Sequence, residues 1–283
     1  MKTLDVRHAA HTLRRIAQTP RTFSNWAEVL SDMARERVGH GPETLSFAAR
    51  TGLRIDCPNV PGARVPIYEL FAEDTYQLNW FLGPLLERPI QVIDIGAHIG
   101  TFACLLAHVH TRATIRCFEP SPTTAGFLRH NVEQNGLSSR ISVFECAIAA
   151  ETGHAAFDDN DGGSGTNALV GAGRAVASGT ATQVETVAFD EAVASTSVPI
   201  DFVKMDCEGG EYDLTYGSSR DSWATVQRLV LEYHEVEGQS WDELRDWYEG
   251  VGLQVVRHEP VSHGLGTAWL SRGPIEPSGP IEP

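Results

Sequence analysis

From residue 90 to residue 272 the chain alternates short apolar runs with stretches of helical periodicity, and that rhythm leaves few folds open. QVIDIG, ATIRCFE, ISVFECAIA, IDFVKMDC and RLVLEYH read as five strands, and LQVVRHE and GTAWLSR as two final ones. Between them TFACLLAHVH, SPTTAGFLRHNVEQNG and SWDELRDWYEGVG read as helices. The second has Ser121 as N-cap, Pro122 at its first position and Gly136 at its end. Strands with so few polar positions belong inside a parallel sheet covered by helices on both faces, so the fold class is α/β.

The rest of the chain frames that unit. Residues 1–50 read as helical, with LRRIAQTP ending at Pro20 and NWAEVLSDMARERV resuming after a Ser24 or Asn25 cap. TGLRIDCPNVPGARVPIYELFAED suggests a small β element leading into the main domain. We divide the chain into an extension (1–65) serving as lid or dimer interface, a main domain (66–272) and a disordered tail (273–283) in which GPIEP occurs twice. FDDNDGGSGTNALVGAGRAVASGT reads as a mobile loop or hairpin flap on the acceptor side, with Asn167 a contact candidate.

Composition excludes some functions. A formal charge of −15, with lysine only at 2 and 204, argues against gripping nucleic-acid backbones. No apolar run reaches membrane-spanning length, and the first twenty residues lack the apolar block of a secretory signal, so a cytoplasmic location is expected. The five cysteines form no CxxC pair and read as buried thiols.

The stretch VIDIGAHIG (92–100) carries the first chemical signal. Gly96 and Gly100 set a tight turn between a strand and a helix, where ligands sit in parallel α/β sheets. A dinucleotide fingerprint would want another glycine at 98, and His98 adds bulk where a pyrophosphate would pass. Glu119, at the end of the next strand, matches a carboxylate that accepts hydrogen bonds from vicinal ribose hydroxyls. A phosphate-free adenosyl ligand such as S-adenosylmethionine suits this loop, and an acidic site suits its sulfonium cation.

DIGAHIG, the acidic residue of CFEP, and above all DFVKMDCEGGEYD with LVLEYH resemble the FkbM family of class I S-adenosylmethionine-dependent methyltransferases over residues 66–272. The resemblance implies a Rossmann-like seven-stranded sheet, mostly parallel with the last strand antiparallel. It further implies O-methylation of a hydroxyl on a small molecule such as a secondary metabolite or sugar. By position it places Asp94, Gly96 and Gly100 in the methionine-side loop, Glu119 on the ribose, Ala147 along the adenine and Asp206 facing the centre. It also suggests that Glu73 and Tyr76 close over the cofactor. Cys207 stands where the family often has an aliphatic residue.

Catalytic candidates cluster at two strand ends. Lys204 and Asp206 alternate onto one side, and a buried ion pair is the expected role for Lys204. Glu211 suits a helix start, where the dipole favours a carboxylate, and Glu208 sits just outside that turn. Glu232 and His234 share a side of the fifth strand, with His234 the expected general base and Glu232 orienting it. Asp206, Glu208, Glu232 and His234 also form a possible, less favoured, magnesium site. Transfer to an amine or carboxylate, a binding module without turnover, and a nicotinamide oxidoreductase remain rival readings.

Overall fold

The computed structural model describes residues 6–36, 39–60, 62–159, 168–169, 181–196, 198–262 and 264–275. Asn167, most of the glycine-rich stretch around it, and the tail from residue 276 lie outside the described residues. The chain opens with helices α1 (Val6–Thr22) and α2 (Trp26–Glu36), then an antiparallel hairpin of β1 (Thr44–Ala48) and β2 (Arg54–Pro58). Helices α3 (Val65–Phe71) and α4 (Leu78–Leu82) follow, and the main sheet begins with β3 (Ile90–Ile95). It continues through α5 (Thr101–Val109), β4 (Ala113–Phe118), α6 (Pro122–Gln134) and β5 (Ile141–Phe144). A second sheet is built from β6 (Ala147–Ala149), β7 (Gly153–Asp158), β8 (Ala168–Leu169) and β9 (Ala181–Ala188). The chain then runs through α7 (Phe189–Ala194), β10 (Phe202–Met205), α8 (Glu211–Gly217), α9 (Arg220–Ala224) and β11 (Arg228–Tyr233). Helix α10 (Trp241–Gly250), β12 (Gln254–Ser262) and β13 (Leu265–Ser271) complete it.

The main sheet has seven strands in the order β12-β13-β11-β10-β3-β4-β5. Its core strands pair in parallel, and the last strand, β13, inserts antiparallel between β11 and β12. Strand order therefore reverses between β3 and β10, and the crevice beyond their carboxyl ends is where such sheets bind ligands. Alternate residues feed the two faces. Val92, Ile115 and Phe202 enter a core shared with α5 and α6, while Ile93, Val203 and Leu229 enter a second core.

The N-terminal extension is packed into the first of these cores. Phe23 meets Phe47 and Tyr68 edge-on at centroid distances of 5.0 and 5.6 Å. Asn131 of α6 accepts from the Asp56 amide and donates to the Asp56 carbonyl, and Asn135 does the same for Arg54. These bonds satisfy one outer edge of the hairpin, which would otherwise expose unpaired amides.

Two expectations need correction. Helix α1 continues through Pro20 to Thr22, because a proline in the last turn forfeits only its own donor, and Thr19 still accepts from Phe23. ISVFECAIA is two strands. The run breaks after Phe144, and Ala147–Ala149 leaves the main sheet to pair with β9. The cysteines are free as expected, four of them buried and Cys207 half-buried. Among the described residues no helix is long and apolar enough to cross a membrane.

Candidate active site

The loop after β3 is fixed from both sides. The amides of Gly96 and Ala97 donate to the Phe118 carbonyl at 3.1 and 3.0 Å, tying the loop to β4. Gly96 has φ +71°, and a Cβ on it would lie 1.9 Å from the Asp206 carbonyl oxygen, so only glycine lets β3 and β10 meet here. His98 adopts a left-handed φ of +50° and sends its amide to Glu119 Oε2 at 2.9 Å. The Ser121 amide reaches Glu119 Oε1 at 3.0 Å while its hydroxyl caps α6 by accepting from the Thr124 amide. The residue that breaks the dinucleotide pattern thus helps aim the carboxylate expected to hold a ribose.

Glu119 is 5% exposed and lines the pocket. Burial pushes its pKa up to about 7, against the pull of the two amides and of Lys204. Beyond it the pocket is walled by Phe118, Ala147, Ile148, Phe157 and Leu169, an apolar slot for a flat ring. Phe157 and Leu169 come from the second sheet, which sequence reasoning placed on the acceptor side.

Lys204 stands at the junction of the two strands. Its ammonium donates to the Gly96 carbonyl at 2.6 Å and lies 3.5 Å from Asp94 and 3.6 Å from Asp206. Burial favours the neutral amine, but Asp206, Asp94 and Glu232 outweigh it and raise the pKa. The expected buried ion pair is therefore present. Asp94 is fully buried beneath the loop, with a pKa pushed to about 6 by burial and restrained by Lys204. It shapes the loop from below, whereas Gly96 itself lines the pocket.

At the ends of β10 and β11, Asp206, Glu232 and His234 each bring a polar atom within 4.8 Å of the others. His234 Nδ1 is hydrogen-bonded to Glu211 Oε1 at 3.1 Å, and Nε2 lies 3.4 Å from Glu208. Glu211, at the first position of α8, is fully buried and also accepts from the Cys207 and Gly209 amides. The partner that orients the ring is thus Glu211, where the sequence suggested Glu232. Burial alone would lower the His234 pKa, but the Glu211 hydrogen bond and the charges of Glu211, Glu208 and Asp206 raise it to about 10. His234 is therefore an imidazolium at neutral pH, and a base role would require it to lose that proton first. With both nitrogens facing carboxylates, it has no lone pair for an ion as the side chains stand, so the group does not fit a metal.

Glu232 behaves differently. Burial and the Asp206 charge raise its pKa to about 8, with His234 pulling it back. Tyr76 lines the pocket as expected, its hydroxyl kept protonated by burial and by the charges of Asp206 and Glu232. Glu73 does not join it. It follows the end of α3 and turns to α1, 3.6 Å from Arg14 and 3.4 Å from Gln18. The acidic residue of that segment lining the pocket is Glu69, on the helix itself. Thr101 and Phe102 also line it. Only Glu69 had a legible signal, as the other carboxylate of YELFAED.

The sheet order and a ligand crevice without a phosphate cradle define a class I methyltransferase fold. The METTL16 methyltransferase domain has the same fold, at 14% identity and a TM-score of 0.50 over 80% of this chain and 75% of that one. The profile described as the Methyltransferase FkbM domain matches residues 94–254, and the chain belongs to that family of methyltransferases. The 31-O-demethyl-FK506 methyltransferase FkbM of Streptomyces tacrolimicus is 26% identical over 77% of this chain and 91% of its own length. The 2-O-methyltransferase NoeI of Sinorhizobium fredii (strain NBRC 101917 / NGR234) is 29% identical over 54% of this chain and 67% of its own. The cofactor is S-adenosylmethionine, and the pocket fits it: a ribose-facing carboxylate, an apolar slot and acidic side chains for a cation.

Proposed function

We propose that this enzyme methylates a hydroxyl oxygen of a small molecule, with Glu232 taking the acceptor's proton and His234 staying charged beside it. S-adenosylmethionine supplies a methyl group on a positively charged sulfur, open to in-line attack. Glu119 and Ala147 hold the adenosine, and Gly96 lets the chain pass close over it. Asp206, Glu208 and Glu232 face the acceptor at the strand ends. The observation that carries this reading is the contrast between the two titrating neighbours. Glu232 exchanges its proton near pH 8, close to the range where a general base is effective, whereas His234 is already charged. An imidazolium next to the acceptor oxygen stabilises the negative charge that develops as the proton leaves. The printed names of both relatives specify O-methylation, which supports oxygen as the accepting atom.

Incubation with methyl-labelled S-adenosylmethionine and a panel of hydroxylated, amino and carboxylic small molecules tests this by mass spectrometry. Label is expected on hydroxyl oxygen, with the same yield after chelator treatment. Label confined to amines or carboxylates, or activity lost to the chelator and restored by magnesium, would overturn the reading.

A further inference from the structure

Three directions leave the centre of the pocket. One runs past Glu119 to the apolar slot of Ala147 and Phe157, and one opens towards Asp206 and Glu208 at the strand ends. The third runs beyond Gly96 and Ala97 to Glu69, Tyr76, Thr101 and Phe102, and nothing above gives it a task.

Thr101 is the first residue of α5, is 2% exposed, and its hydroxyl has no hydrogen-bond partner. Buried polar groups are nearly always satisfied, so an orphan hydroxyl in a ligand pocket points to a ligand atom. It sits at the amino end of a nine-residue helix whose N-cap, Gly100, supplies no side-chain cap. Free amides and the helix dipole favour an anion there.

Glu69 is a largely buried carboxyl on the same wall and forms no ion pair or side-chain hydrogen bond among the described residues. Burial pushes its pKa up to about 7, with Arg15 opposing and Asp206 adding to the rise. A carboxyl kept from water without a partner is a natural receptor for a ligand cation. The loop's own acceptor, the Gly96 carbonyl, is already taken by Lys204.

Resting on the cofactor reading above, we propose that Glu69 and Thr101 hold the amino-acid end of the cofactor, Glu69 receiving its ammonium and Thr101 donating to its carboxylate. Helix α3, which precedes the sheet, then belongs to the cofactor site. The acceptor is confined to the opening between Asp206, Glu208, Glu232 and His234.

Calorimetry with three ligands separates the atoms involved. S-adenosylhomocysteine carries both charged groups, decarboxylated S-adenosylmethionine only the ammonium, and 5′-methylthioadenosine neither. Glu69→Gln is expected to weaken the first two by about tenfold or more and to leave methylthioadenosine within about twofold. Thr101→Val is expected to weaken S-adenosylhomocysteine alone, by about five- to tenfold, with Thr101→Ser restoring it. Either variant weakening methylthioadenosine as much as S-adenosylhomocysteine would overturn the assignment, as would unchanged S-adenosylhomocysteine affinity. A wild-type protein that binds none of the three would instead refute the adenosyl pocket itself.

Discussion

Gly96→Ala is expected to yield a protein that has lost cofactor binding and about 2–5 kcal/mol of stability. Two costs combine. An alanine at φ +71° is strained by about 1–2 kcal/mol. Its Cβ would also lie 1.9 Å from the Asp206 carbonyl oxygen, a backbone atom that cannot rotate away, and overpacking costs about 1–3 kcal/mol. The Asp206 amide donates to the Ile95 carbonyl, so moving Asp206 back would pull β10 off β3 at the substrate crevice. Gly100→Ala should be milder, since its Cβ would meet Leu128 Cδ1, the end of a flexible side chain. Thermal unfolding and S-adenosylhomocysteine binding report both effects. A Gly96→Ala protein with wild-type melting and affinity would mean that the contact between the two strand ends is not as described.

Glu232→Gln should lower kcat/KM by about a hundredfold or more at pH 8 while leaving cofactor affinity within about twofold, as removal of a general base requires. The pH profile is the sharper observation. Below about 8 the Glu232 carboxyl is protonated and cannot accept the acceptor's proton, so activity climbs as pH rises through that value. Above about 10 His234 loses its charge and activity falls, giving a bell whose limbs belong to the coupled pair. In Glu232→Gln the rising limb should vanish. Were His234 the base, activity would instead rise through about pH 10 with no falling limb from this pair.

Much of this was legible because the sheet constrains its own sequence. Strands buried on both faces announce themselves as apolar runs, and the polar residues that interrupt them, Asp94, Lys204 and Glu232, are those gathered at the crevice. Glu119 could be read from its place at a strand end, and Lys204 from alternation with Asp206. Glu73 could not, because choosing between it and Glu69 depends on where α3 stops, and the chain turns towards α1 beyond Phe71. Glu211 was hidden for a related reason. A helix-start carboxylate normally answers to its own amides, and this one also reaches across to the end of β11. Periodicity also says nothing of sheet membership, so ISVFECAIA gave no sign of its break, nor Phe157 of reaching the apolar slot.

The central claim is that this crevice binds an adenosyl cofactor through Glu119, and equilibrium binding tests it most directly. Wild-type protein titrated with S-adenosylhomocysteine should bind one equivalent and show no affinity for a nicotinamide dinucleotide. Glu119→Ala should keep the fold by circular dichroism and bind about a hundredfold more weakly, the loss of two hydrogen bonds to a charged acceptor. Nicotinamide binding by the wild type, or unchanged S-adenosylhomocysteine affinity in Glu119→Ala, would contradict the account.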